Sequence, residues 1–378
     1  MNNSSLISGS NMPSKSPFFH YKKSWRIFVI TFCALGVMAF LVIWGNSLKA
    51  ARAETKLTAN KEEKTPPAPN EQTAVAESKT IAHEVNIVDS VLYEQKIKRM
   101  ANGDSSGRWP VKTAYPNAGA ILPFKRVVAF YGNLYSKGMG ILGELPRAQM
   151  LAKLQEEVIN WQAVDSSIEV IPALHYIAIT AQMQPGKGGK YRQRMPFHQI
   201  DSVLSMAKEI DALVFLDIQV GHSTLQEEIP LLEQYLKLPQ VHLGIDPEFS
   251  IKSEHAPGKI VGSFDAADIN YASAYLSKLV TDNNLSPKIL VVHRFTQGMV
   301  TNYKSIATLP EVQLVMDMDG WGGTKKKINT YKQYIYKEPV QFTGFKLFYK
   351  NDTKSRGRML TPAELLRLKP QPFYIQYQ

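Results

Sequence analysis

The sequence predicts an α/β protein in which residues 121–378 form a (β/α)8 barrel of the TIM type. Eight short runs rich in apolar and β-branched residues recur after residue 125, and amphipathic stretches separate most of them. Strands that alternate with helices indicate parallel βα units, and eight units in about 250 residues match the usual size of this barrel. A doubly wound open sheet is the alternative. However, the glycines of "YGNLYSKGMGILGE" after the first run lack the spacing of a nucleotide-binding loop.

The eight predicted strands follow one another in a regular series. In order they are "RVVAFYGN", "EVIPALHYIAI", "ALVFLDIQVG", "VHLGIDPEFS", "KILVVHRF", "VQLVMDMDG", "FTGFKLFYKN" and "PFYIQYQ". Five connections have helical periodicity, and the fifth and seventh, "NYKSIATL" and "TPAELLRL", can each hold a short helix. We expect the last strand to pair with the first, which closes the barrel.

The amino-terminal part predicts a membrane anchor. Residues 27–45 carry no charge, are long enough to cross a bilayer and are flanked by Trp25 and Trp44. The bias of lysine and arginine around them favours a cytoplasmic tail at residues 1–26 and a barrel outside the bacterial cytoplasmic membrane. A signal peptide cleaved after "ARA" at residues 51–53 is the alternative. The apolar run is longer than a usual signal core and ends well before that site, so we favour a single-pass anchor.

Residues 46–85 are polar and rich in proline, which predicts a disordered linker, and residues 86–120 predict a lead-in helix and loop. Cys33 is the only cysteine, so the chain has no intrachain disulfide. The formal net charge is +11. Outside the cytoplasm such a charge suits a cell-envelope glycan or another anionic polymer as partner, besides the membrane that holds residues 27–45, and not nucleic acid.

Polar side chains collect at the carboxyl ends of the predicted strands, where barrels of this class have their active sites. The candidates are Tyr131, Asn133, His175, Asp217, Gln219, Asp246, Glu248, His293, Asp317, Asp319, Trp321 and Lys346. Side chains alternate along a strand, so Asp246 and Glu248 are expected to face the same side. An apolar core does not tolerate two unpaired carboxylates, which predicts that they line a polar mouth.

Crowded carboxylates raise at least one carboxyl pKa, which makes a general acid near neutral pH, as glycosidic bond cleavage requires. The fourth-strand Asp246-x-Glu248 resembles the signature of chitinase-like and muramidase-like barrel glycosidases. That resemblance implies that Glu248 protonates the leaving oxygen and that Asp246 orients an N-acetyl group. "VMDMDGW" is similar to a chitinase strand, which implies that Asp317 or Asp319 lies beside the sugar.

The chain departs from those glycosidases in two places. His242 and Gly244 stand where further acids would be expected, and Lys346 stands on the seventh strand, where a second glutamate is common. A closer resemblance covers residues 125–360. "LDIQVG", "GIDPEF" and "MDGWG" resemble an uncharacterised family of exported bacterial proteins, many of them lipoproteins, with LDxQ and DPEW motifs. This resemblance implies export and no particular activity, and Phe249 replaces the family's tryptophan.

The leading hypothesis is therefore a membrane-anchored glycoside hydrolase that acts with retention on an N-acetylated cell-envelope glycan and needs no cofactor. Its catalytic candidates are Glu248, Asp246, Asp217, Asp319 and Asp317, and the other polar candidates bind substrate. A metal-dependent hydrolase is one alternative, because carboxylates and His293 suit a divalent ion, although no HxH or HExxH spacing is present. A non-catalytic glycan-binding barrel is the other. The basic segments "QPGKGGKYRQR" and "TKKKIN" fit an anionic ligand in either case.

Overall fold

The computed structural model describes residues 88–354 and 357–378, all of which belong to one unit. The predicted anchor at residues 27–45 and the linker at residues 46–85 lie outside the described residues, so they stay predictions. Within the two described ranges, no helix is both long and apolar enough to cross a membrane.

Eleven strands are present in the described residues, and eight of them form the predicted barrel. In chain order they are β1 Lys125–Gly132, β2 Glu169–Ala181, β3 Arg192–Arg194, β4 Leu213–Ile218, β5 Val241–Ile245, β6 Phe264–Asp265, β7 Lys288–Arg294, β8 Val300–Thr301, β9 Val312–Met318, β10 Phe342–Leu347 and β11 Tyr374–Tyr377. The parallel order is β1-β11-β10-β9-β7-β5-β4-β2, and β2 pairs back with β1. Val127 lies opposite Tyr374 and Phe130 opposite Tyr377, so the last strand closes the barrel as predicted.

Helices and turns occupy the connections. The α-helices of the described residues are α1 Ser90–Met100, α2 Ile141–Glu144, α3 Arg147–Val164, α4 Phe197–Glu209, α5 Leu225–Glu228, α6 Glu233–Leu236, α7 Ala266–Asp282, α8 Thr324–Thr330 and α9 Pro362–Leu365, and a π-helix, Tyr331–Tyr336, continues α8. The helical pattern in the third connection, between β4 and β5, is split into α5 and α6 by a 3-10 turn that contains Pro230, which has no backbone N–H to donate. The short helix expected in the fifth connection is instead β8 and the 3-10 turn Tyr303–Ser305.

Two apolar layers hold the barrel together. Alternate strand residues such as Leu290 and Val292 pack outward against the helices, whereas Ile289 and Val291 pack into the barrel interior. The lead-in segment joins the interior layer: buried residues of α1 and of the loop after it, among them Trp109, lie in the same cluster as Ile289. The lower half of the barrel is thus filled with apolar side chains, which leaves the carboxyl ends of the strands for the site.

Candidate active site

A buried polar layer lies directly above the apolar filling of the barrel. His175, Asp217, His293 and Asp317 are fully buried, and each follows an inward apolar residue by two positions on its own strand. Strand alternation brings these four side chains from β2, β4, β7 and β9 to one level of the interior. The same alternation turns Arg294 outward, where it pairs with Glu338.

Asp217 is the centre of the polar layer. Its Oδ1 atom lies 3.2 Å from Nε2 of His175 and 3.4 Å from Nε2 of His293. The hydroxyl of Tyr131 donates a hydrogen bond of 2.8 Å to the other carboxylate oxygen, Oδ2. Asp217 therefore joins two histidines on one side to a pocket residue on the other.

His293 connects this layer to the carboxylates of β9. Its Nδ1 atom lies 3.2 Å from Oδ2 of Asp319 and 3.4 Å from Oδ2 of Asp317. Lys346 on β10 contacts Asp319 as well, with Nζ 3.0 Å from Oδ1. The imidazole and the ammonium thus hold Asp319 from two sides.

Two glycines make room for the polar layer. A Cβ atom on Gly244 of β5 would lie 2.4 Å from both Oδ1 of Asp217 and Nε2 of His175. A Cβ atom on Gly344 of β10 would lie 2.5 Å from Oδ1 of Asp317. Any larger side chain would collide with the buried carboxylates. This explains why a glycine stands at the β5 position where the glycosidase pattern would place an acid.

An open pocket of about 600 Å³ lies above the polar layer. Seven of the twelve predicted site residues line it: Tyr131, Gln219, Asp246, Glu248, Asp319, Trp321 and Lys346. Phe249, Phe295, Phe348 and Lys326 line it too, and of these the sequence reasoning singled out only Phe249 and the segment that contains Lys326. Phe295 and Phe348 directly follow the last residues of β7 and β10, so strand ends were the signal that could have found them.

Asp246 and Glu248 reach the same pocket, but not by strand alternation. β5 ends at Ile245, and residues Pro247–Phe249 form a 3-10 turn. Oδ1 of Asp246 accepts a hydrogen bond of 3.1 Å from the backbone N–H of Glu248 and so caps this turn. The expectation that both carboxylates continue one strand is therefore wrong, because a capped turn aims Glu248 at the pocket.

Two carboxylates, one in the polar layer and one on the pocket wall, have a pKa below the ordinary value. Burial alone raises the pKa of Asp217, but His293 and His175 more than offset it, so that pKa lies below its ordinary value. The same balance, with Lys346 and His293 as the opposing groups, lowers the pKa of Asp319. For His293, burial lowers the pKa, and the surrounding carboxylates overcome that effect and raise the pKa well above its usual range.

Three other carboxyl groups have a pKa above the ordinary value. Burial, followed by the nearby charge of Asp319, raises the pKa of Glu248 to about 7. Burial also raises the pKa of Asp246 well above its ordinary value, and it raises that of Asp317. The neighbouring cations offset only part of this effect. Of the three, Glu248 and Asp246 line the pocket, and Glu248 is the more exposed.

The remaining predicted residues do not reach the pocket. His175, Asp217, His293 and Asp317 lie beneath its floor. Asn133 is buried in the loop after β1, where its amide donates to the carbonyl of Ile177 and accepts from the backbone of Tyr135. Asn133 therefore shapes the loop and does not face the open space.

The two basic segments have different environments. In "QPGKGGKYRQR", Arg192 and Arg194 each lie 2.7 Å from a different oxygen of the fully buried Glu228, so this segment is tied to α5. In "TKKKIN", Lys327 is buried against Asp352, whereas Lys326 lines the pocket. Only Lys326 of these four offers its charge to a ligand in the pocket.

The fold and site define a (β/α)8 barrel with a carboxylate-lined pocket at the carboxyl ends of its strands. No protein family matches the chain, so the resemblance to the exported family stays a prediction. No curated protein sequence matches it either.

Remote similarity to solved barrels exists. "Cellulase Cel5C_n" is 11% identical with a TM-score of 0.35, and the match covers 58% of this chain and 65% of that chain, less than two thirds of it. Cel5A from Thermotoga maritima is 10% identical with a TM-score of 0.36, over 66% of this chain and 88% of that chain. The ChiA C-terminal domain from Legionella pneumophila is 10% identical with a TM-score of 0.35, over 66% and 92%. Similarity this remote says nothing about activity.

Proposed function

We propose that this protein is a glycoside hydrolase of a cell-envelope glycan and that Glu248 is its general acid. One observation carries the proposal: Glu248 lies on the wall of an open pocket and has a pKa raised to about 7. Among the described residues its carboxyl group has no hydrogen-bond partner. A carboxyl that keeps its proton near neutral pH and is free to donate it is what protonation of a leaving oxygen requires.

The second group of the mechanism is Asp319. It lines the same pocket, and its ionised form is held by Lys346 and His293. As the bond between the anomeric carbon and the leaving oxygen breaks, the electron pair goes to that oxygen and Glu248 supplies its proton. The positive charge that develops on the sugar ring is stabilised by the negative charge of Asp319. Water then gives its hydroxyl to the anomeric carbon and returns a proton to Glu248.

Asp246 has a supporting role in this mechanism. Its buried carboxyl holds the turn that carries Glu248, and its Oδ2 lies 3.5 Å from the amide nitrogen of Gln219. Burial raises the pKa of Asp246 well above its ordinary value, and Asp246 lines the pocket beside Glu248, where it can contact the substrate. The resemblance of Asp246-x-Glu248 to chitinase-like barrels supports an N-acetylated sugar whose acetamido group Asp246 would orient. The acetamido oxygen would then be the internal nucleophile of a retaining hydrolysis.

The pocket walls support an acidic glycan as substrate. The ring of Trp321 is 52% exposed, and such a ring can stack on a sugar face. Nζ of Lys326 lies 5.1 Å from the centroid of that ring and forms no salt bridge within the described residues. A carboxylate or phosphate on the sugar bound at Trp321 would meet this charge.

The test is the Glu248→Gln substitution in the full-length protein, assayed on peptidoglycan, chitooligosaccharides and poly-N-acetylglucosamine. Glutamine keeps the shape and has no transferable proton, so activity should fall by about two orders of magnitude or more. The matched control is Glu254→Gln, which changes an exposed glutamate of the same loop.

Two outcomes would reject the assignment. Undiminished cleavage by the glutamine variant would remove Glu248 from the mechanism. Tight glycan binding without products, equal in both proteins, would make the barrel a binding module. The metal-dependent alternative has less support, because the one His/Asp/Glu group close enough to share an ion in the described residues, His175, Asp217 and His293, does not line the pocket.

A further inference from the structure

We propose that His175, Asp217 and His293 bind one divalent transition-metal ion, with zinc as the best fit, in the barrel interior. This site is separate from the proposed hydrolysis, because none of the three residues lines the pocket and the ion would not touch the glycan. One ligand atom of each residue lies within 4.8 Å of the other two, and the contacts with Asp217 point to Nε2 of His175, Oδ1 of Asp217 and Nε2 of His293 as these atoms.

The spacing of these atoms is close to that of ligands that share one ion. Oδ1 of Asp217 lies 3.2 Å from one histidine nitrogen and 3.4 Å from the other. Tetrahedral zinc with bonds of about 2.0–2.2 Å separates its ligand atoms by roughly 3.3–3.6 Å. At these two distances, a histidine N–H that pointed at the carboxylate oxygen would form a hydrogen bond with it. Yet all three atoms are buried and none has a hydrogen-bond partner in the described residues.

Two of the three proposed ligands are also held by a hydrogen bond through their second polar atom. Nδ1 of His175 forms a hydrogen bond with the hydroxyl of Tyr374, whereas Nδ1 of His293 lies 3.2 Å from Oδ2 of Asp319 without forming a hydrogen bond. Oδ2 of Asp217 accepts the hydrogen bond from Tyr131. Metal-binding histidines and carboxylates commonly have such outer partners, which orient them and set the tautomer. The three proposed ligand atoms, Nε2 of His175, Oδ1 of Asp217 and Nε2 of His293, remain without hydrogen-bond partners in the described residues.

Space and charge favour an ion between these three atoms. Gly244 lies against the group and carries no side chain, and a Cβ atom there would approach two of the ligand atoms to 2.4 Å. Asp217 forms no salt bridge with a lysine or arginine of the described residues, and its only basic neighbours within 4 Å are the two histidines. Two imidazoles and one carboxylate suit zinc, whereas calcium and magnesium prefer oxygen ligands only.

The ion would position the pocket floor. Through Asp217 it would fix the hydroxyl of Tyr131, which lines the pocket and whose ring lies 3.7 Å from Nζ of Lys346. Without an ion, a charged His293 between Asp217 and Asp319 would be the structural alternative. The two arrangements differ in metal content, which can be measured without any assay of hydrolysis.

The experiment uses the full-length chain, stripped with a chelator and dialysed against zinc chloride. We expect one zinc ion per chain by mass spectrometry and a higher melting temperature with zinc than with calcium or magnesium. Cobalt in place of zinc should give the intense visible absorption of a tetrahedral site. His175→Gln should weaken zinc binding by about 100-fold or more and abolish this absorption. His198→Gln, which changes an exposed histidine, should leave both unchanged.

Asp217→Asn is the second variant, in case His175→Gln does not fold, and it should also lose the cobalt absorption. Three results would overturn the proposal. One is less than about one tenth of an equivalent of bound zinc in the unmodified protein. Another is zinc binding that both variants retain, which would place the ion on surface histidines. The third is a cobalt spectrum without tetrahedral intensity.

Discussion

The pH dependence of hydrolysis is the sharpest consequence of the site. Burial first, and the charge of Asp319 second, raise the pKa of Glu248 from 4.5 to about 7. If Glu248 must donate a proton, kcat/KM follows the fraction of enzyme in which Glu248 is protonated. The value of kcat/KM should therefore fall as the pH rises, because Glu248 loses its proton.

The size of the effect follows from the pKa. About half of the Glu248 carboxyls are protonated near pH 7, against roughly 0.3% for a glutamate with an ordinary pKa, a difference of about 160-fold. Between about pH 6 and pH 8 the protonated fraction falls roughly tenfold, and it falls about tenfold again by pH 9. On the acid side, Lys346 and His293 outweigh burial and lower the pKa of Asp319. Asp319 therefore stays ionised throughout the pH range in which Glu248 titrates.

The assay is kcat/KM from the release of reducing ends, measured from pH 5 to 9 at constant ionic strength. A nitrophenyl glycoside of the same sugar is the matched control, because nitrophenolate leaves without a proton and its descending limb should flatten. Carbon-13 labelling of glutamate, with the Glu248→Gln variant for assignment, gives the pKa without turnover. A descending limb at or below pH 5, or identical limbs for the two substrates, would refute the role of burial at Glu248.

Three further predictions follow from the contacts. Gly244→Ala forces a methyl group to within 2.4 Å of two atoms and should lower the free energy of unfolding, measured by urea titration, by about 1–3 kcal/mol. Gly298→Ala is the control, because open space surrounds Gly298, and it should change the stability little. Equal stabilities of the two variants would contradict the close fit at Gly244. Trp321→Ala should raise KM by ~3–10-fold with little change in kcat, because the ring no longer stacks on the sugar. Tyr135→Ala removes an exposed aromatic residue outside the pocket and should leave KM unchanged. An unchanged KM in the Trp321→Ala variant would exclude stacking on Trp321. Glu228→Gln leaves the two β3 arginines without their buried carboxylate and should cost about 2–3 kcal/mol, below the ~3–5 kcal/mol of a fully buried pair because one arginine is partly exposed. A loss under about 0.5 kcal/mol in the same titrations would show that solvent replaces the pair.

The barrel could be predicted from the sequence because its signals are local. Apolar and polar residues alternate along each strand, and all eight strands predicted from this pattern are present. The same alternation correctly placed Tyr131, Asp217 and Lys346 on the inner face of the barrel, because the period of two follows from the backbone alone. Helix breaks were less well predicted, as at Pro230, since packing around the break decides whether a helix resumes.

What the sequence could not determine is the depth of each inward side chain and its neighbours. It listed Asp217 and Asp319 as equivalent, but the closed barrel places one beneath the floor and the other on the pocket wall. It placed Glu248 on a strand, whereas a turn capped by Asp246 carries it. It offered no reason for Gly244, which is needed because residues from β2 and β4 occupy its side-chain space. Residue type and parity are therefore properties of the sequence alone. Burial and contacts across the barrel, which set the pKa of Glu248, exist only once distant strands have closed on one another.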